Sequence, residues 1–222
     1  MIRGTGIDST VKLYLKGNGA NGSTKIYDDS QSHKTTTAYG NAEISTDHSE
    51  FGGSSIYLDG TGDYLTYTYT IPKTGDISVS CWIYPTNLAA ANPVFSFGLD
   101  EASGGYKSLA AVITDASKIV VLYSESFSTW TNGTTYTQAH TTIVNQWTYW
   151  SIVRSGTNLS LYIDGSLIYT WTGVGTLYDY GTTCHIGYNS DNFPQYFNGY
   201  IDDFIVQEIA IDGTIVPTRQ RG

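Results

Sequence analysis

The 222-residue chain holds only two cysteines, one methionine and five prolines, and only 14 % of its residues are charged. So little cysteine excludes a fold that depends on disulfides. Cys81 and Cys184 each sit in a strand-like run and read as buried free thiols; a bridge stays open only if those strands are neighbours. No window approaches the roughly 18 apolar residues of a membrane-spanning helix. The N-terminal stretch has Arg3 but no apolar run long enough for the core of a signal peptide. Lys and Arg number 11 against 20 Asp and Glu, a net charge of -9. That excess repels phosphate backbones and anionic lipid, so neither nucleic acid nor a membrane surface is an expected partner. The strong helix formers Glu, Lys, Arg and Met are scarce, which excludes a helical protein.

Glycine (24) and tyrosine (19) stand in their place, together with abundant Ser, Thr and Asn. This is an all-β composition. Short β-rich runs separated by Gly, Asn and Asp turn signals fill the chain, the pattern of a sandwich or barrel. In the run 76–85, Ile77, Val79, Cys81 and Ile83 fall on one face. Leu159–Ile163 alternates likewise, meets the type I′ hairpin signal Asp164-Gly165, and returns through 166–171. In 199–207, strict alternation puts Asp202, Phe204 and Val206 on one side, and Ile201, Asp203 and Ile205 on the other. Further expected strands are 11–15, 55–59, 63–70, 93–98, 108–114, 118–123, 147–154 and 183–188. No linker divides the chain. One two-sheet antiparallel β-sandwich over 1–222, with a core from about 10 to 210 and short terminal arms, accounts for these runs better than two small domains.

The order of segments resembles the laminin-G-like jelly roll of the concanavalin A-like lectin/glucanase superfamily. The signals are Asp28-Asp29-Ser30 with His33, then Phe51-Gly-Gly-Ser-Ser-Ile-Tyr-Leu-Asp-Gly-Thr-Gly-Asp-Tyr-Leu65. Ile77-Ser-Val-Ser-Cys-Trp82 follows, then Trp147 to Arg154 leading into Leu161-Tyr-Ile-Asp-Gly165. Ile186-Gly187 and Phe197-Asn-Gly-Tyr-Ile-Asp-Asp203 close the series. The stretch Leu13 to Leu65, with Gly19-Ala-Asn-Gly-Ser-Thr24, is similar to jelly-roll modules common in bacteriophage virion proteins.

Some relatives of this fold are glucanases, whose hydrolysis needs two carboxylates about 5–9.5 Å apart. They carry the pair on one strand as Glu-x-Asp-x-(x)-Glu. None of Glu43, Glu50, Glu101, Glu125 and Glu208 has an Asp two residues later. The adjacent Asp202 and Asp203 are expected on opposite faces. His33, His48, His140 and His185 show no zinc-site spacing, and there is no Gly-x-Ser-x-Gly elbow. His33 reads as a structural hydrogen-bonder. No enzyme is expected and no cofactor is required. The resemblance implies one ion, a structural calcium, with Asp28, Asp29 and Asp202 as candidate ligands and Asp59 and Asp63 next. The competing reading makes these carboxylates turn caps, with Asp202 satisfied by backbone amides.

Aromatic rings that stack on a sugar or on a partner are offered by three segments. They supply Tyr123, Phe127, Trp130 and Tyr136; Tyr178 and Tyr180; and Tyr188, Phe193 and Tyr196. The expected function is that of a non-enzymatic phage virion protein: a decoration, fibre or tail-associated jelly roll that binds protein or cell-surface glycan through these loops. Met1 without an export signal fits synthesis in the host cytoplasm and release by lysis. The arms Met1–Ile7 and Thr218–Gly222 offer docking points for other virion proteins, and a second copy of the chain is a further candidate partner. The alternative is an extracellular carbohydrate-binding module of a secreted bacterial protein, with a glycoside hydrolase a distant third.

Overall fold

The computed structural model describes residues 7–98, 108–115, 118–126, 129–131, 135–136, 144–178, 181–190 and 194–220. The strands are β1 (Val11–Leu15), β2 (Thr37–Tyr39), β3 (Glu43–Ser45), β4 (Ser55–Asp59), β5 (Tyr64–Thr68) and β6 (Ile77–Pro85). Next come β7 (Asn92–Phe97), β8 (Leu109–Asp115), β9 (Lys118–Ser126), β10 (Thr129–Thr131), β11 (Thr135–Tyr136) and β12 (Thr148–Ser155). The last are β13 (Asn158–Ile163), β14 (Ser166–Thr172), β15 (Thr183–Ile186), β16 (Tyr188–Ser190), β17 (Pro194–Tyr196) and β18 (Asn198–Gln207). Among the described residues there is no helix. A first sheet runs β14-β13-β12-β6-β18-β4-β3, with β1 added on β18; a second runs β10-β9-β8-β7-β15-β5-β2, with β11 on β9. The hairpin β16–β17 stands apart from both. Every pairing is antiparallel. The molecule is the two-sheet sandwich that its composition implies.

The core lies between the sheets. Ile77, Val79, Cys81 and Ile83 face it from β6, as their alternation requires, and Leu65, Phe97, Ala111, Val121 and Ile186 meet them from the second sheet. Cys81 and Cys184 are buried free thiols carried by different sheets. Burial pushes the Cys184 thiol up to about 12 and that of Cys81 higher still, so neither is a nucleophile. At the β13–β14 turn, Asp164 (φ 47°) and Gly165 (φ 74°) both have positive φ, as a type I′ hairpin demands.

β18 departs from simple alternation. Its register shifts between Asp202 and Ile205, and Asp203 sits at φ 47°. The extra residue turns the strand by one phase, so Ile201, Phe204 and Val206 all enter the core. Ile205 instead joins Val11 and Tyr14 in a small cluster on the other side. Strict alternation had separated Ile201 from Phe204; the bulge is the physical reason that it fails. Before the bulge β18 pairs with β4, and after it with β1.

Arg154 on β12 is buried at 2 % exposure and bonds only to main chain. Its guanidinium donates to the carbonyls of Gly156 (3.1 Å), Lys73 (2.8 Å) and Gly175 (2.6 Å), tying two loops to the sheet. Arg154→Met leaves those three acceptors without a donor, and a loss of about 2–4 kcal/mol in urea unfolding is expected. Arg154→Lys should recover less than half, because an ammonium cannot reproduce the planar fork. Wild-type stability in both variants would contradict the clamp.

Candidate functional site: a tyrosine ladder at the edge of the second sheet

The reading of 183–188 as one strand is correct in place but not in continuity. Gly187 (φ 79°) breaks it, and the chain leaves the sheet to form the β16–β17 hairpin, which sets Tyr188 opposite Tyr196. The hairpin packs on β7, where Ser96 Oγ donates to the Tyr188 carbonyl. Its tyrosine rings reach Tyr64 of β5, which pairs with Tyr39 of β2, as Thr66 does with Thr37. Four tyrosines meet there. The Tyr39 and Tyr64 rings lie parallel, with centroids 4.5 Å apart and planes inclined by 2°. Tyr64 also stacks on Tyr188 at 4.7 Å, and Tyr188 contacts Tyr196 at 5.3 Å. His185 closes the back of the group, 5.8 Å from Tyr64 and 5.2 Å from Tyr188.

The ladder grades from wet to dry. Tyr39 is 43 % exposed, Tyr64 and Tyr196 are half-buried, and Tyr188 and His185 are buried. Tyr39 is backed by Tyr64, which is itself held by Tyr188, so a ligand stacking on Tyr39 would cost little further side-chain entropy. The hairpin's opposite face is polar. Asn189 Nδ2 donates to Gln195 Oε1 at 3.0 Å, while the buried Asn189 Oδ1 has no hydrogen-bond partner among the described residues.

Tyr188 and Tyr196 are thus the members of the aromatic set that the fold brings together. Tyr39 and Tyr64 were missed because β2 is too short to show a period; only Tyr64 stood near a turn signal, Asp59-Gly-Thr-Gly62. Tyr123 is corrected: it is 2 % exposed and points into the inter-sheet core, since its position on β9 shares a face with Ile119 and Val121. Tyr178 is half-buried in a separate pocket of about 320 Å3 with Lys73 and Glu125. Phe127, Tyr180 and Phe193 lie outside the described residues, and so do the side chains of Trp130 on β10 and Tyr136 on β11.

A second aromatic row crosses the outer face of the first sheet through Tyr57, Tyr200, Tyr84 and Trp147, at 4.9 to 5.8 Å spacing. It is capped. His48 lies 4.4 Å over Tyr84, and Phe51 packs edge-on against Trp82.

The carboxylates proposed for calcium do not form a cage. Asp28 accepts four hydrogen bonds, from the amides of Tyr14, Ser30 and Lys34 and from Ser30 Oγ. Asp29 is exposed beside it. Asp202 Oδ2 accepts from the amides of Glu50 and Phe51, both at 3.0 Å, and Oδ1 from that of Asp203. Asp59 and Asp63 cap the turn between them, with Thr61 N on Asp59 Oδ1 at 2.7 Å and Asp59 N on Asp63 Oδ2 at 3.0 Å. His33 holds the Asp28 loop through Nδ1, 3.3 Å from the Asp28 carbonyl oxygen. Among the described residues no three His, Cys, Asp or Glu side chains converge as metal ligands. Asp203 has its own partners: Tyr14 Oη and Gln220 Nε2 both donate to its Oδ1 at 3.0 Å.

A family model described as the concanavalin A-like lectin/glucanases superfamily matches residues 59–214. The chain belongs to that superfamily. Solved structures of the same fold include three botulinum neurotoxin domains. The serotype D binding domain superposes with TM-score 0.64 at 15 % identity, over 91 % of this chain and 49 % of that one. The serotype D ligand binding domain in complex with N-acetylneuraminic acid gives 0.65 at 17 %, over 92 % and 48 %. The serotype DC binding domain in complex with rat synaptotagmin II gives 0.65 at 15 %, over 93 % and 50 %. This chain spans about half the length of each. No curated protein matches it.

Complete burial raises the Asp202 carboxyl from 3.8 to about 7, with the charge of Asp203 adding to the rise and the amide donors opposing it. The folded chain therefore keeps a proton that the unfolded chain has already lost, and this group's contribution to stability falls as pH rises from about 4 to about 7. Asp202→Asn has no such proton. Lowering pH from about 7.5 to about 5 should raise the wild-type melting temperature relative to the variant; a constant difference would contradict the raised value.

Proposed function

We propose that this superfamily member is a non-catalytic binding module that takes a saccharide on the exposed ring of Tyr39. The observation that carries the reading is the parallel Tyr39–Tyr64 stack, with Tyr39 the exposed member. A pyranose presents a face of C–H groups that packs on such a ring, while hydroxyls and amides beside it fix orientation. Thr37 and Thr66 on the paired strands supply polar groups of that kind. The complexes of two neighbours, one with N-acetylneuraminic acid and one with synaptotagmin II, support a binding role for this sandwich. Catalysis has less support. Asp202 and Asp203 spend their oxygens on separate structural hydrogen bonds, and no glutamate has the spacing that glucanases of this fold use.

We further propose that the module acts on a phage particle, in adhesion or assembly. The similarity of Leu13–Leu65 to virion jelly rolls supports this setting.

On a glycan array or affinity gel, Tyr39→Ala should lower affinity roughly three- to tenfold, the loss expected for one stacking ring. Tyr39→Phe should retain it. Binding that ignores both substitutions would remove the ladder from the site. The setting has its own test: mass spectrometry of purified phage particles should find the chain as a virion component, and its absence would overturn that part.

A further inference from the structure

A pocket of about 350 Å3 opens between residues 24–28 and the turn 33–36, just ahead of β2. Lys25, Tyr27, His33, Lys34, Thr35 and Thr36 line it. Its walls are fixed by short-range bonds: Thr36 Oγ1 donates to the Ile26 carbonyl, and Lys34 N donates to Asp28 Oδ2 at 2.7 Å.

The charge of this pocket runs against that of the chain. In a protein of net charge -9 it gathers two lysines and an exposed histidine. Neither Lys25 nor Lys34 makes an ion pair among the described residues. Lys34 Nζ lies over the Tyr69 ring, 5.8 Å from its centroid, a contact that places the ammonium without neutralising it. Asp28 is the one carboxylate in the lining, and it is buried with four donors on its oxygens. An incoming anion therefore meets unpaired ammonium groups rather than a free carboxylate. Tyr27, 67 % exposed, adds an apolar wall at the mouth.

Position joins the pocket to the ladder. Thr36 is followed at once by β2, and Tyr39 lies three residues on, about 10 Å along an extended chain. We propose that the pocket is a second subsite of the same surface, and that it takes the carboxylate of an acidic saccharide whose neighbouring ring stacks on Tyr39. This rests on the saccharide reading above and narrows it from sugars in general to carboxylated ones.

The test compares matched acidic and neutral ligands: sialyllactose against lactose, and a galacturonic acid trimer against a galactose trimer. Wild type, Tyr39→Ala and Lys25→Gln/Lys34→Gln are titrated at low and high salt. Lys25 is exposed and Lys34 half-buried, with neither in an ion pair among the described residues, so the double variant should fold; an unchanged melting temperature checks this. Wild type should prefer one acidic member over its neutral partner, and high salt should weaken that preference. The lysine variant should lose about three- to tenfold in affinity for the acidic ligand, as expected for two solvent-screened contacts, with neutral binding unchanged. The pair that responds tells a sialic acid from a uronic acid. Equal binding of acidic and neutral members, or a preference that survives the lysine substitutions, overturns the subsite and leaves saccharide binding standing. Retention of no saccharide by wild type overturns both.

Discussion

The bulge at Asp202-Asp203 is the constraint on which the first sheet turns. β18 is central to that sheet and exchanges one neighbour for another along its length, β4 before the bulge and β1 after it. An uninterrupted strand would send Phe204 and Val206 to the face opposite Ile201, because side chains alternate with period two. One inserted residue, taken up at Asp203 with φ 47°, keeps all three in the core. The two carboxylates at the kink are then put to use. Asp202 gathers the amides of Glu50 and Phe51 and folds the 46–53 loop over the outer face, while Asp203 ties β1 to the C-terminal segment through Tyr14 and Gln220. Burying Asp202 costs the charged form its hydration, and three amide donors offset part of that cost.

A second departure, at Gly187, has the same logic and a different result. A left-handed residue ends β15 and lifts the chain out of the second sheet, and the hairpin that follows carries Tyr188 and Tyr196 to the β5–β2 edge. Had the strand continued, Tyr188 and Tyr196 would have stood eight residues, about 26 Å, apart along it instead of converging on Tyr64. Local backbone geometry, more than the abundance of tyrosine, therefore makes the ladder.

Much of this was legible from residue pattern. The sandwich, the β6 face and the Asp164-Gly165 hairpin followed from period two and turn chemistry, which act over a few residues and leave their mark in sequence. The bulge in β18 left no such mark. Ile201, Asp202, Asp203 and Phe204 look like an ordinary strand, and only the competition between two neighbouring strands decides where the extra residue goes. Tyr123 misled although the expected strand 118–123 already sets it on the face of Ile119 and Val121. As the last residue of that run, next to a Ser-rich segment, it reads as part of the aromatic loop, whereas β9 continues to Ser126 and carries it into the core. The reading of Asp202 as a carboxylate satisfied by amides came closer than its candidacy as a metal ligand, because a buried acid flanked by a turn finds main-chain donors more readily than an ion. Tyr39 and Tyr64 sit 25 residues apart and meet only through β2–β5 pairing, a contact that no local period announces.

The two aromatic surfaces then differ in what their rings have left to offer. On the first sheet, Tyr84 and Tyr200 are covered by His48 and Trp82 by Phe51, so stacking is used up within the fold and contributes to stability. At the second sheet's edge, Tyr39 stacks on Tyr64 and keeps 43 % of its surface exposed. That edge is also a liability, since an outermost strand presents unpaired main-chain groups to other chains. β2 limits the hazard by being three residues long and by following two lysine-bearing segments, whose charge discourages strand addition. What stays open is the side-chain face: an immobilised ring beside an electropositive hollow. Lys25, Lys34 and Tyr39 thus fall within 15 positions of one another in a chain otherwise poor in charge, and the proposed recognition would draw on the same few residues as edge protection.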